Sequence, residues 1–343
     1  MKALTKFEKG KGHVALMDMP EPVCLNNQVT LEVACCGICG TDIHVLHDTF
    51  RNYPPVIMGH EFAGKVVDVG KDVQKIKLGD TFSVLGATAV TCGNCRYCYR
   101  GEFMFCKNRR GMGHGVNGAF AKFATARPDQ LFAVPEGVSL EEAALVEPLA
   151  AAVHAVCDIA RIKLGDQVLV SGPGTMGLMA LKLLLAQGIK TIVAGTSEDA
   201  YRLSLAEEYG AYKVVMVDRE NLQEVILEET EGLGVDLAFE CAGAEGSVRN
   251  CLEAIKPLGQ YIQVGHFGKD LRVPWDLVAF RQLKILGSVG YTRDTWLQTF
   301  RILEQGRLNV KDIITHTFRL SEWEEGFDLT QRKKAVKVLL YPE

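Results

Sequence analysis

The chain has no apolar run long enough to cross a bilayer: its most apolar helical stretch, Leu178 to Ala186, is short and carries Lys182. It has no basic excess, with 38 Lys and Arg against 42 Asp and Glu and a net charge of -4. A nucleic-acid or acidic-membrane partner, whose phosphates would need neutralising, is therefore not expected. The N-terminal stretch MKALTKFEKGKGHVALMDMP contains no apolar core of signal-peptide length, which makes the cytoplasm the expected compartment. The cysteines are not even in number. Eleven of them, without an export signal, read as metal ligands and isolated thiols rather than as a disulfide framework. The remainder is ordinary globular composition, 48% apolar and 23% charged with 34 glycines. At 343 residues about two domains are expected.

The chemistry centres on Cys39-Gly40-Thr41-Asp42-Ile43-His44, followed shortly by Gly59-His60-Glu61. Cys39 and His60 offer one thiolate and one imidazole, a pair suited to a catalytic zinc. Such a site needs a third protein ligand and keeps one position open for substrate. Thr41 carries a hydroxyl able to take the proton of a substrate hydroxyl, and His44 can pass it toward solvent. Asp42 is placed to hold the second ring nitrogen of His60, the usual way of fixing a ligand imidazole.

Residues 1 to about 135 read as mainly β. Val29, Leu31 and Val33 alternate with polar neighbours, and Phe62 to Val69 is a second strand closed by Gly70. Many short strands punctuated by glycine suggest a partly open barrel. Cys92, Cys95, Cys98 and Cys106 then form C-x2-C-x2-C-x7-C. Four thiolates at this spacing can close a tetrahedral structural zinc site, with an iron–sulfur cluster as the competing reading. Metal there would hold an otherwise loose loop. From Ser139 a capping box, Ser139-Leu140-Glu141-Glu142, opens a helix expected to break near Glu147-Pro148. A carboxylate at such a break is suited to reach a metal.

Residues 166 to 290 alternate strand and helix. The apolar strand Gln167 to Val170 runs into Ser171-Gly172-Pro173-Gly174-Thr175-Met176-Gly177 and a helix expected over Leu178 to Gln187, stopped by Gly188. This is G-x-G-x-x-G between a strand and a helix, where glycines let the backbone approach a pyrophosphate at the helix N-terminus. Strands follow at Thr191 to Ala194, Val214 to Val217, Val235 to Glu240, Tyr261 to Val264 and Lys284 to Val289, with helices between. The pattern is α/β, a doubly wound parallel sheet. Two further helices and a terminal strand, Val336 to Leu340, return to the first domain.

Taken in order, Cys36-Gly37-Ile38-Cys39-Gly40-Thr41-Asp42, Gly59-His60-Glu61 with Gly64 and Gly70, the four-cysteine lobe, Glu147-Pro148 and the glycine turn resemble the zinc-containing medium-chain dehydrogenase/reductase family over nearly the full length. The resemblance implies a GroES-like, partly open β-barrel catalytic domain over residues 1–150 and 291–343. It implies a Rossmann NAD(P)-binding domain over 151–290, with zinc and nicotinamide in a cleft between the two. Glu147 stands where alcohol dehydrogenases usually place a third cysteine. An acid there is more typical of the polyol (sorbitol-like), threonine and glucose dehydrogenase branches, in some of which the acid matching Glu61 also ligates zinc. The implied catalytic-zinc set is Cys39, His60, Glu61 and Glu147; Cys92, Cys95, Cys98 and Cys106 form the structural one. Gly172, Gly174, Thr175, Met176 and Gly177 fall on the dinucleotide, as do Ser197, Arg202, Val264 and Val289.

The implied reaction is hydride transfer between a secondary alcohol, a polyol or polyol phosphate, and NAD or NADP, giving the ketone. Threonine or sugar dehydrogenation and a non-catalytic dinucleotide-binding or metal-sensing role are the alternatives. Sorbitol-type enzymes usually carry an arginine where Gly290 stands, which leaves the substrate open. Phe50 and Tyr53 lie in the loop expected to line the pocket. For the cofactor, Ser197 lacks the charge that would repel a 2′-phosphate and Arg202 follows at pairing distance, whereas Glu198 and Asp199 could serve a ribose or Asp199 cap a helix. The balance leans to NADP. An apolar edge strand, Ile285 to Val289, suggests a homo-oligomer, dimer or tetramer.

Overall fold

The computed structural model describes residues 1–343. The chain forms two compact units, one from Met1–Pro148 with Thr292–Glu343, the other from Leu149–Tyr291.

In the first unit a seven-stranded sheet runs in the order Ile314–Arg319, Lys337–Tyr341, Val29–Gly37, Glu61–Val69, Thr81–Val84, Leu131–Ala133, with Phe123–Ala126 paired to the flank of Val29–Gly37. A smaller sheet sets Lys2–Lys6 between Val14–Asp18 and Val56–Ile57. The alternation read at Val29, Leu31 and Val33 puts these three side chains in the core beside Phe62, Val66 and Phe120. At the 20–33 cal/mol per Å² of apolar surface, each such side chain contributes roughly 1.5–3 kcal/mol. The terminal strand does return to this sheet, antiparallel to Val29–Gly37 with Leu339 opposite Gly37 and Leu340 opposite Cys36.

Ser139 caps its helix as the sequence predicts, accepting from the Glu142 N–H while the Glu142 carboxylate accepts from the Ser139 N–H. The break expected near Glu147-Pro148 falls earlier. The helix Leu140–Ala144 ends at Leu145, and Val146–Val153 begins a second helix. Pro148 is therefore in a first turn, where its missing N–H costs nothing because the first four helical N–H groups have no internal partner.

The second unit is a six-stranded parallel sheet in the order Lys213–Met216, Lys190–Gly195, Gln167–Ser171, Val235–Glu240, Ile255–Gln263, Lys284–Gly287. By position in the chain this is 3-2-1-4-5-6, the doubly wound arrangement. The helix after the first strand covers Thr175–Ala186 rather than starting at Leu178. Gly174 takes the N-cap with extended backbone, so winding begins three residues earlier and puts the N–H groups of the glycine turn at the helix mouth. Two predicted strands also shift. Tyr261 to Val264 belongs to a longer strand, Ile255–Gln263, that stops before Val264, and the last strand ends at Gly287 before Val289. Lys284–Gly287 is an edge strand, as expected. No helix of the chain is long and apolar enough to cross a membrane.

Candidate metal and dinucleotide sites

The first site grows out of strand register. Gly37 pairs with Glu61 at the ends of Val29–Gly37 and Glu61–Val69, so Cys39, two residues past one end, and His60, just before the other, arrive side by side. A Cβ on Gly37 would sit 2.2 Å from Glu61 Oε2, so any larger residue there would displace this carboxylate. The ligand atoms of Cys39, His60 and Glu61 all lie within 4.8 Å of one another. Cys39 is the N-cap of the helix Gly40–Leu46, and its N–H donates to Asp42 Oδ2 at 2.9 Å. Asp42 is buried, with Oδ1 3.6 Å from His60 Nδ1. That is the neighbour the sequence predicts, but beyond hydrogen-bond length.

Three buried atoms of this cluster have no hydrogen-bond partner: Asp42 Oδ1, His60 Nδ1 and Glu61 Oε1. Burial opposes charge on the His60 imidazole, yet the Asp42 carboxylate and the Cys39 sulfur outweigh it and hold the ring's pKa well above the ordinary histidine value. The same negative neighbours would favour a metal cation beside the ring. Sulfur, imidazole and carboxylate, with buried acceptors unpaired, fit a zinc ion.

Glu147 does not join this group of donors. It lies in the first turn of Val146–Val153, partly buried, and is near enough to act electrostatically on Lys337. Thr41 and His44 share the short helix at i and i+3, hence one face. His44 Nδ1 meets Thr49 Oγ1 at 2.9 Å.

Two residues of the site were not picked out from the sequence. Extending the register of Lys337–Tyr341 against Val29–Gly37 by two residues brings Lys337 opposite Cys39. Its Nζ donates to Glu61 Oε2 at 2.6 Å and to the Ile38 carbonyl at 2.9 Å, and both members of the ion pair are buried. Burial disfavours the Lys337 ammonium, but Glu61 first, then Cys39 and Glu147, keep its pKa above the usual lysine value. A lone lysine inside the apolar strand Val336 to Leu340 was the available signal. The second is His114, buried edge-on to Phe50 with centroids 5.0 Å apart and with Nδ1 unpartnered. Burial, reinforced by the charge of His60, pushes its imidazole down to about 3. Nothing in the sequence around His114 marks it.

The second metal candidate is the four-cysteine lobe. Cys92 and Cys98 sulfurs are 3.9 Å apart, Cys95 and Cys98 3.5 Å, Cys92 and Cys106 3.6 Å. Sulfurs at 2.3 Å from one tetrahedral zinc are about 3.8 Å apart, whereas a disulfide would bring two of them to about 2.05 Å. Backbone N–H groups already point at two of these sulfurs, from Cys98 to Cys95 and from Cys92 to Cys106, and lower both thiols' pKa values. The spacing fits one metal ion.

In the second unit the glycine turn is built for close approach. Gly172 has φ +103°, and a Cβ on it would meet the Ala242 backbone nitrogen at 2.6 Å. A Cβ on Gly177 would lie 2.0 Å from the Gly172 carbonyl, whereas one on Gly174 would meet nothing within 4 Å. The turn is thus packed underneath and open above, as a pyrophosphate on the N–H groups of Thr175, Met176 and Gly177 requires. Val264 donates its N–H to the Glu240 carbonyl at 2.9 Å, and Val289 is exposed beyond the edge strand. Ser197 follows the second strand, and Arg202 lies beyond it in the helix Ala200–Glu208.

With this geometry in view, comparison with known proteins is decisive about kinship. The domain family described as "Alcohol dehydrogenase GroES-like domain" matches residues 26–136, and "Zinc-binding dehydrogenase" matches residues 175–305. The chain is 34% identical over 343 residues, 100% of its length and 99% of the other, to sorbitol dehydrogenase of Halalkalibacterium halodurans. It is 35% identical over 342 residues, 99% of its length and 97% of the other, to D-arabitol-phosphate dehydrogenase of Enterococcus avium. A zinc-binding dehydrogenase structure from Sinorhizobium meliloti, bound to NADP, superposes with a TM-score of 0.90 at 29% identity, covering 99% of both chains. The chain belongs to the zinc-containing medium-chain dehydrogenase/reductase family, in its polyol and threonine dehydrogenase branch.

Proposed function

We propose that the protein is a zinc- and nicotinamide-dependent dehydrogenase that interconverts a secondary alcohol of a polyol or polyol phosphate and its ketone. The observation that carries this is the convergence of Cys39, His60 and Glu61 within 4.8 Å in a chain of this family. When bound, zinc supplies Lewis-acid polarisation of the substrate oxygen, and the nicotinamide accepts or returns the hydride.

The residues of the chain do the rest. Cys39 and His60 hold the metal. Asp42 fixes the Cys39 end through its bond to the backbone N–H and faces the His60 ring. Lys337 neutralises Glu61, which leaves one carboxylate oxygen for the metal. Thr41 takes the substrate hydroxyl proton and His44, held by Thr49, passes it to solvent. Glu147 acts through the field it shares with Lys337 and reaches the metal only if the site rearranges. Cys92, Cys95, Cys98 and Cys106 hold a second, structural zinc. Residues 1–150 with 291–343 serve as the zinc-bearing catalytic domain and 151–290 as the dinucleotide domain. Assembly through the exposed edge strand into a homo-oligomer and a cytoplasmic location complete the reading.

The test is a steady-state screen of zinc-loaded protein offered NAD+ and NADP+ with polyols, polyol phosphates, threonine and simple secondary alcohols. Turnover with a polyol or its phosphate is expected. Turnover confined to threonine or to simple alcohols, or none at all with zinc and dinucleotide bound, would overturn the proposal.

A further inference from the structure

The parallel pairing of the second and third strands of the dinucleotide unit sets Gly195 beside Met216. Two residues past each strand end, Ser197 and Asp218 therefore meet. The Ser197 N–H donates to Asp218 Oδ1 at 2.8 Å, and the Ser197 hydroxyl donates to Asp218 Oδ2. Ser197 lies 20 residues past Gly177, where a doubly wound dinucleotide site places the group that touches the adenosine ribose. We propose, granting the dinucleotide-dependent reading above, that Asp218 makes this enzyme select NAD over NADP, by filling with its own carboxylate the donors on which a 2′-phosphate would sit.

The chemistry is a competition between anions for one pair of donors. A 2′-phosphate brings about two negative charges to a position already held by a carboxylate, and like charges in contact repel. A ribose 2′-hydroxyl meets no such barrier, since it donates a hydrogen bond to the same carboxylate. The acid that NAD users carry at the end of the second strand is here delivered from the end of the third. A local arrangement speaks against the lean to NADP drawn from Ser197 and Arg202. The Arg202 guanidinium is buried and faces Asp199 Oδ1 at 3.7 Å. Asp199 is itself held by the N–H and hydroxyl of Thr196, at 3.2 and 2.9 Å. Arg202 is thus committed inside the unit. The Sinorhizobium relative is bound to NADP, so the fold itself does not exclude NADP and the selection would lie in these side chains. Arg219, next in the chain and close enough to act on Asp218, is the cation a phosphate would find once the carboxylate is gone.

The experiment is calorimetric titration of the zinc-loaded protein with NADH and with NADPH, needing no substrate, on wild type, Asp218→Asn and Ser197→Ala, with melting curves to establish that each variant is folded. Wild type should bind NADH roughly tenfold tighter than NADPH, as expected for one like-charge contact near a surface. Asp218→Asn should shrink that ratio about tenfold, mainly by tightening NADPH. Ser197→Ala should weaken NADH modestly, because Asp218 loses the hydroxyl donor and keeps only the backbone N–H. Wild type binding NADPH as tightly as NADH, or an unchanged ratio in Asp218→Asn, overturns the proposal while leaving the dehydrogenase reading standing. Binding of neither dinucleotide overturns both.

Discussion

Within one compact unit, two cysteine-bearing clusters solve opposite problems. The lobe of Cys92, Cys95, Cys98 and Cys106 is all sulfur, with spacings that close a tetrahedron. Its ligands come from a stretch of fifteen residues that contains only a short helix, Arg96–Tyr99, and one turn of 3₁₀ helix, Phe103–Phe105. The cluster of Cys39, His60 and Glu61 mixes three ligand types, drawn from the ends of two long paired strands, and its carboxylate is already paired with Lys337. A closed set of thiolates suits a metal that supplies folding energy. An unfinished donor set on a rigid sheet, with its carboxylate already engaged by a counter-charge, would suit a metal that keeps a position for substrate.

The sharpest way to break this comparison is to remove one sulfur from each cluster. Cys39→Ser should abolish turnover, a loss of several kcal/mol of transition-state stabilisation or on the order of a thousandfold, while NADH binding and one equivalent of zinc persist. Cys98→Ser should lose the other zinc and expose the loop between Cys92 and Cys106 to protease. Zinc analysis and limited proteolysis of the two variants check both outcomes, and equal effects on turnover and on loop protection would erase the distinction.

Lys337→Met tests the held-back ligand. Breaking a buried ion pair leaves Glu61 uncompensated, and metal-free protein should lose about 3–5 kcal/mol in denaturant unfolding. With zinc bound the loss should be smaller, because the metal takes over the charge of Lys337. An equal loss with and without zinc would mean that Glu61 never reaches the metal.

The smallest effect concerns His114. Buried neutral, with its pKa near 3, it binds fewer protons folded than unfolded. It therefore costs stability as pH falls below the unfolded value of about 6.5 toward that folded value. Between pH 7 and 5 wild type should lose about 2 kcal/mol more than His114→Phe, read from denaturation at the two pH values.

Much of this was legible along the chain because the signals are local. A capping box, a four-cysteine spacing or a glycine turn between strand and helix needs only a few consecutive residues, and hydrophobic periodicity places the strands of the doubly wound sheet. The helix boundaries at Leu145 and Thr175 shifted because first-turn N–H groups need no partner, so proline and glycine there carry no stop signal.

The ligand types, the division into a mainly β part and an alternating α/β part, and the glycine turn were determined by the sequence alone, since each depends on residue chemistry at short range. Only the tertiary structure decided that Glu61 rather than Glu147 stands beside Cys39 and His60, that Lys337 closes the site from the far end of the chain, and that Asp218 reaches Ser197. Each of these is a pairing set by strand register between distant segments, and register is fixed by which faces must be buried together, which no short stretch of sequence records.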